Sequence, residues 1–132
     1  MLVVDASCLY EVLAGAAGAE PIRERLATDT DHGAPHLIDV EVLSAIRRNF
    51  QLGRLDQTAA SQAVEDLDDW PGQRFDHRGL LERAWELRDN LRTYDAMYVG
   101  LAEALGATLI TTDARLGRVG GLQCPIEVFT DP

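Results

Sequence analysis

The sequence predicts an α/β fold, a central parallel sheet flanked by helices, because short strand-like runs alternate with longer helical stretches. Apolar or β-branched runs occupy 2–4, 107–111 and 126–129, and stretches whose apolar residues recur at helical spacing lie between them. Strands that alternate with helices pair in parallel through right-handed crossovers. No repeat or Pro/Ser-rich linker divides the chain, so we expect a single domain over residues 1–132.

The first half of the chain is predicted to contain one strand and four helices. In order, these are a strand at 2–4, helices near 7–15 and 21–27, a polar loop at 28–33, and helices over 37–50 and 55–70. Ser7 is a favourable helix cap, and Gly15 and Gly53 are placed to stop the first and third helices.

The second half returns twice to strand-like runs. The predicted elements are an extended piece near 74–75, helices over 80–88 and 94–105, a strand at 107–111, a short helix at 113–118 and a strand at 126–129. Pro71 and Gly72 break the preceding helix, and Gly106 ends the helix before the strand at 107–111.

The composition is that of a folded chain, with 46% hydrophobic and 26% charged residues. Cys8 and Cys124 lack zinc-like spacing and are too few for a disulfide framework, so we expect free thiols. No segment approaches the length of a membrane span or has the pattern of a signal peptide. A cytoplasmic location without membrane contact is therefore predicted.

The formal net charge of −10 argues against nucleic-acid binding through a broad basic surface. A polyanionic substrate would need metal ions or the arginines, which supply every basic charge because the chain has no lysine. A GC-rich genome is the simpler explanation for that arginine usage. The acidity also suits a basic partner segment.

Several other chemistries are not supported by motifs. The sequence has neither a GxxxxGK[ST] phosphate loop nor a GxSxG nucleophile elbow. Three histidines lack the spacing of a zinc site and are predicted to lie in loops or on the surface: His32, His36 and His77. Four aromatic residues are predicted to be core rather than a base-stacking platform: Trp70, Trp85, Tyr94 and Tyr98.

Four carboxylates stand out by position. Asp5 and Asp113 each follow a short apolar strand, where ligands collect in parallel sheets. Glu41 lies on or beside the apolar face of its helix, and Asp95 opens a second apolar helix. Each has a simpler alternative: helix capping for Asp113 and Asp95, and a boundary position reaching solvent for Glu41. No one of them is decisive alone.

Carboxylates that converge can bind Mg²⁺ or Mn²⁺, which prefer oxygen ligands. Such ions assist phosphodiester hydrolysis because they neutralise the anionic oxygens and activate water. The four acids therefore favour a metal-dependent hydrolase.

Four segments together resemble the signature regions of PIN-domain VapC toxins. They are LVVDAS at 2–7, PHLIDVEVLSAI at 35–46, TYDAMYVGLA at 93–102 and LITTDARL at 109–116. Each segment is weak evidence alone, but the four occur in the expected order over nearly the whole chain.

The resemblance implies a PIN fold and endonucleolytic cleavage of RNA. It implies Mg²⁺ or Mn²⁺ bound by four residues, Asp5, Glu41, Asp95 and Asp113. Ser7 and Thr112 match positions whose hydroxyls support the acidic pocket. Many relatives carry a further acid where this chain has Arg115 and Leu116.

The resemblance also implies a homodimer and a cognate VapB-like antitoxin whose basic tail covers the acidic pocket. Four arginines are candidates for contacts with RNA phosphates: Arg47, Arg48, Arg54 and Arg115. Some of them are equally consistent with a solvated helix face.

Two other classes of protein remain as alternatives. The first is a catalytically silent module that keeps the fold and the antitoxin interface, although the complete set of four acids argues against it. The second is a phosphotransfer receiver or an aspartate-nucleophile phosphatase. A receiver needs a lysine, which this chain lacks, and the phosphatase expects an aspartate where Ser7 stands.

Overall fold

A five-stranded parallel sheet forms the centre of the computed structural model, which describes residues 1–130. The strands are β1 (Leu2–Val4), β2 (His32–Pro35), β3 (Gln73–Phe75), β4 (Thr108–Thr111) and β5 (Ile126–Val128). Their order across the sheet is β3-β2-β1-β4-β5, and all four pairings are parallel. The predicted α/β class with a central parallel sheet is confirmed; the predicted domain bounds of 1–132 extend two residues beyond those described.

Six helices cover the sheet. They are α1 (Ala6–Ala14), α2 (Ala19–Leu26), α3 (Leu37–Gln51), α4 (Gln57–Asp69), α5 (Leu81–Glu86) and α6 (Thr93–Leu105). Helix α1 packs against α2, α3 and α4, whereas α6 packs against α5 and contacts β1, β2 and β4. Two single 3₁₀ turns, Arg78–Leu80 and Leu116–Arg118, complete the structure.

The core lies around β1 and α6. All three residues of β1 are buried, and so is every residue of α6 from Ala96 to Ala102. A helix that is buried on nearly all sides needs small residues for close packing. Ala96, Gly100 and Ala102 meet that need.

The predicted end of the loop over 28–33 was wrong, because strand β2 begins at His32. Its sequence, HGAP, contains none of the β-branched residues that mark strands. Space favours glycine there: a Cβ at Gly33 would lie 2.8 Å from Met1 Cε and from Phe75 Cε2, so one or both of these side chains would have to shift. Close packing between neighbours thus selects a residue that local propensity disfavours.

Two predicted helices are shorter than their patterns suggested. The stretch predicted over 80–88 is a 3₁₀ turn followed by α5, which ends at Glu86. The helix predicted over 113–118 is only the 3₁₀ turn at Leu116–Arg118. Single turns of this kind are common where a chain connects two strands.

The four aromatic residues predicted to be core divide into two pairs. Trp70 and Tyr98 are buried, as predicted. Trp85 and Tyr94 are 68% and 65% exposed, so the prediction was wrong for both.

The two cysteines are free thiols, as predicted, with Cys8 buried and Cys124 partly buried. Burial raises the pKa of the Cys124 thiol to about 11, so it is protonated at neutral pH. None of the helices within residues 1–130 is long and apolar enough to cross a membrane.

Candidate active site

The order of the strands creates a crevice at the carboxyl ends of β1 and β4. The chain passes from β1 to β2 on one side of the sheet and later to β4 on the other. Ligands bind at such switch points in open α/β sheets. Asp5 directly follows β1, and Asp113 follows β4 by two residues.

Asp5 is 7% exposed and accepts two hydrogen bonds at Oδ2. The donors are the hydroxyls of Thr111 and Ser7, at 2.5 and 3.1 Å. Burial raises the pKa of Asp5, whereas both hydrogen bonds oppose the rise. Asp5 occupies the N-cap position of α1 but makes no side-chain capping bond. The cap predicted at Ser7 was wrong, because Ser7 lies inside α1 and donates to Asp5 instead.

Thr111 connects two of the candidate acids. Its hydroxyl donates to Asp5 and accepts the backbone N–H of Asp113 at 3.1 Å. Thr112 contributes its backbone N–H, which donates to Ser7 Oγ at 3.1 Å; no hydrogen bond of its hydroxyl is found within residues 1–130. The hydroxyl that supports Asp5 is therefore one position before the one indicated by the resemblance. No signal in the sequence indicated this choice, because the burial of Thr111 at the end of β4 is known only from the structure.

Glu41 is half-buried in the second turn of α3. The Tyr98 hydroxyl donates to its Oε1 at 2.9 Å, which ties α3 to α6. Burial raises the pKa of Glu41 to about 7, the charges of Asp5 and Asp95 add to the rise, and the Tyr98 bond opposes it. Glu41 is thus an electrostatic neighbour of both aspartates, although it keeps some contact with solvent.

Asp95 lies in the first turn of α6, with its side chain 22% exposed. Burial raises the pKa of Asp95, while the charge of Arg92 lowers it and that of Asp113 raises it. Arg92 Nε is 3.6 Å from Asp95 Oδ2. Arg92 is the N-cap residue of α6, and Asp95 is not in that capping position.

Asp113 is held by Arg115. The guanidinium approaches with Nε 3.1 Å from Oδ1 and Nη2 2.8 Å from Oδ2, and the backbone N–H of Arg115 donates to Oδ1 at 2.9 Å. Hydrogen bonding from Arg115 lowers the pKa of Asp113. The helix-capping alternative for Asp113 was wrong, because Arg115 is the N-cap residue of the following 3₁₀ turn; the Asp113 carboxylate instead accepts the Arg115 N–H in the loop after β4.

Two adjoining clefts open beside these acids. A cleft of about 150 Å³ is lined by residues including Arg92, Asp95, Asp113 and Arg115. A second, of about 830 Å³, is lined by Glu41, Arg88, Leu91, Arg92, Thr93, Tyr94 and Asp95. Arg88 and Arg92 were not singled out from sequence. The spacing of Arg92 to Asp95, one helical turn, was the available signal.

Arg47, Arg48 and Arg54 line neither cleft. Arg47 borders an apolar groove between α3 and α4. Arg54 Nη1 donates to Asn49 Oδ1 at 3.4 Å. Of the four arginines predicted to contact RNA, only Arg115 lies at the acidic clefts.

The candidate ligands suit Mg²⁺ or Mn²⁺ in type, because carboxylate oxygens are the ligands these ions prefer. The buried Asp5 has no cationic partner in the ion pairs of residues 1–130, which also fits a cation. As the side chains stand, no three acidic, histidine or cysteine residues in that range converge closely enough to hold a metal. To bind a metal ion, Asp95 and Asp113 would have to give up their ion pairs with Arg92 and Arg115.

A model of the PIN domain family matches residues 2–122. The chain belongs to the PIN domain family. Among its relatives is Ribonuclease VapC9 of Mycobacterium tuberculosis, 42% identical over 128 residues that cover 97% of this chain and 98% of that protein. Ribonuclease VapC1 of the same species is 37% identical, and the match covers 96% of both chains. The predicted family is confirmed.

Solved structures have a similar fold. PAE2754 from Pyrobaculum aerophilum superposes with a TM-score of 0.71 at 27% identity, covering 96% of this chain and 83% of that one. DNA-bound VapBC from Salmonella typhimurium also gives a TM-score of 0.71, at 16% identity, with 97% of both chains covered. At that identity the second likeness concerns the fold alone.

Proposed function

We propose that this PIN domain is a metal-dependent endoribonuclease, the toxin of a type II toxin–antitoxin system. The observation that carries the proposal is the acidic crevice at the switch point, where the buried Asp5 has Glu41 and Asp95 as electrostatic neighbours. The identity of 42% to a protein named as a VapC ribonuclease supports the choice of RNA as substrate.

In this proposal Asp5, Glu41, Asp95 and Asp113 hold Mg²⁺ or Mn²⁺. The ion would neutralise charge on the phosphate and activate water. Water adds to phosphorus, the bond to the 3′ oxygen breaks and that oxygen takes up a proton. The products carry a 5′-phosphate and a 3′-hydroxyl.

The residues around the acids act by positioning them. Ser7 and Thr111 fix the Asp5 carboxylate, and the Tyr98 hydroxyl fixes that of Glu41. Hydrogen bonds to metal ligands orient them and typically change metal affinity or activity about 10- to 100-fold. Arg92 and Arg115 neutralise Asp95 and Asp113 in the free protein. Once a metal replaces them, both arginines become available for RNA phosphates.

A VapB-like antitoxin is part of the same proposal. The groove between α3 and α4 measures about 430 Å³ and is lined by Leu43, Ile46, Arg47, Phe50, Gln57, Ala60, Ser61 and Val64. Leu43 and Phe50 are 48% and 45% exposed there. An apolar helix face would cover this groove, and a basic tail would complement the net charge of −10. We further propose that the protein is cytoplasmic and forms a homodimer. Light scattering of the purified protein would test the dimer.

The decisive experiment is incubation of total RNA with the antitoxin-free protein in Mg²⁺ or Mn²⁺. EDTA and Asp5→Asn should each abolish discrete fragments, whose ends should be 5′-phosphates. Asp68→Asn is the matched control, because Asp68 is exposed on α4, outside both clefts. Equal cleavage by wild type and Asp5→Asn would refute the assignment. Absence of cleavage by a folded wild type would favour the silent binding module.

A further inference from the structure

Tyr94 is exposed at the boundary between two clefts. Its side chain is 65% exposed, although it begins a helix whose next turns are buried. It lines the cleft of about 830 Å³ that also contains Arg88 and Arg92. It lines a second cleft, of about 330 Å³, together with Leu37, Val40, Glu41 and Ser44. Val40 is 72% exposed, so Tyr94 and Val40 together line this cleft with apolar surface that is open to solvent.

Arg88 is held at the edge of the larger cleft by Trp85. The guanidinium carbon lies 4.6 Å from the centroid of the Trp85 ring, and Nη1 donates to the Trp85 carbonyl at 2.9 Å. Stacking of this kind restricts the side chain to one region of the surface. The cleft therefore presents two cationic groups, from Arg88 and Arg92, in a protein whose net charge is −10.

We propose that Tyr94 is a base-stacking residue for single-stranded RNA. One nucleobase lies in the smaller cleft between Tyr94 and Val40, and the adjoining phosphate contacts Arg88 and Arg92. The inference rests on the proposed ribonuclease function, because Glu41 lines both clefts and ties this surface to the acidic site.

The surface has the combination of chemistry that an unpaired nucleotide requires. Base stacking needs an exposed aromatic face, and the phosphate needs a cation within reach. Single-stranded segments can splay a base out of the stack, whereas a duplex cannot. Arg92 has Asp95 as a counter-charge, but no ion pair of Arg88 is found within residues 1–130. A purely apolar partner would cover the Arg88 guanidinium without supplying a counter-charge, so RNA is the better occupant.

The test compares binding of two oligonucleotides that share a backbone. The probes are a fluorescein-labelled, mixed-sequence 12-nucleotide RNA and an abasic chain of equal length, in Ca²⁺, with probe integrity checked on a gel. Stacking contributes about 1–3 kcal/mol per base. The wild type should therefore bind the base-containing probe about tenfold tighter than the abasic one.

The variants separate stacking from charge. Tyr94→Ala should bring the ratio of the two affinities close to one, and Tyr94→Phe should keep it, because the ring remains. Leu81→Ala is the matched control, since Leu81 is also an exposed apolar residue of a helix but lines neither cleft. Arg88→Ala should weaken both probes equally and reduce the salt dependence of binding.

Cleavage of RNA by the wild type in Mg²⁺ is measured in parallel. A wild type that does not cleave but keeps the base preference supports stacking and refutes the ribonuclease. A wild type that cleaves, with an affinity ratio unchanged in Tyr94→Ala, overturns stacking. Absence of binding to both probes also overturns it. The proposal is also overturned if the only change in Tyr94→Ala is a lower mass in light scattering. That result would make this surface an interface between two copies of the chain.

Discussion

Replacing Thr111 by valine removes a hydroxyl that serves two candidate metal ligands at once. Thr111 is fully buried, and valine has nearly the same shape, so packing is little changed. The change leaves Asp5 with one side-chain donor, Ser7, and leaves the Asp113 N–H without its acceptor. Thr111→Val therefore isolates the contribution of the two hydrogen bonds.

The size of the effect follows from those two bonds. Each neutral hydrogen bond contributes about 0.5–1.5 kcal/mol, and one to a charged group about 1.5–3 kcal/mol. We expect the free energy of unfolding to fall by about 1–4 kcal/mol, the upper end applying when Asp5 is ionised. Because the hydroxyl orients Asp5, RNA cleavage should fall about 10- to 100-fold as well.

Urea unfolding followed by tryptophan fluorescence measures the first quantity, and cleavage of RNA in Mg²⁺ measures the second. Thr112→Val is the control, because the Thr112 hydroxyl makes no hydrogen bond within residues 1–130 and only its backbone N–H is used. Its effect on stability should stay within about 0.5 kcal/mol. If Thr112→Val were as damaging as Thr111→Val in either assay, the assignment of the supporting hydroxyl to Thr111 would be wrong.

Three further predictions concern ion pairs. Arg74→Ala should lower the free energy of unfolding by about 2–4 kcal/mol, because it removes the guanidinium that donates to three backbone carbonyls and a carboxylate, of which the Leu67 carbonyl keeps the Trp70 N–H. A urea midpoint equal to that of the wild type would contradict this. Hydrogen bonding from Arg83 lowers the pKa of Glu103, whose side chain is 8% exposed. The stability that this ion pair provides is full above pH 4.5 and is lost as the pH falls through the lowered pKa of Glu103. Glu103→Gln should therefore destabilise the protein at pH 7 and have little effect in acid. Urea midpoints of both proteins across this pH range measure the difference. Arg115→Ala removes the cation that Mg²⁺ must displace from Asp113, so the rise in Tm with Mg²⁺ should begin at lower concentration; an unchanged titration would contradict the exchange.

The acids at the crevice could be located from sequence because strand ends and helix faces leave regular patterns. A carboxylate after an apolar run, as at Asp5, is visible without a structure. Strand β2 could not be located in the same way, because its sequence HGAP has no β-branched residue, and the space at Gly33 is limited by side chains distant in the sequence or in another strand. Local propensity carries no record of such contacts.

The spacing of apolar residues along the sequence also did not predict which aromatic side chains are exposed. The spacing of Trp85 and Tyr94 matches that of core residues, and only the packing of α5 on α6 shows that neither is covered. The choice between Thr111 and Thr112 depends on which face of a strand each side chain takes, and a shift of one residue reverses it. Because Thr111 and Thr112 are adjacent and identical, the sequence does not show which of the two side chains faces the interior.

The central position of β1 has a consequence for synthesis of the chain. Strand β1 is synthesised before β4, with which it pairs so that Val4 is opposite Ile110. Thr111, which donates to Asp5, follows Asp5 by 106 residues. A nascent chain that has not reached β4 leaves one edge of β1 open and Asp5 without that hydroxyl. The crevice is thus assembled only after β4 has been synthesised, and chains truncated before β4 lack it.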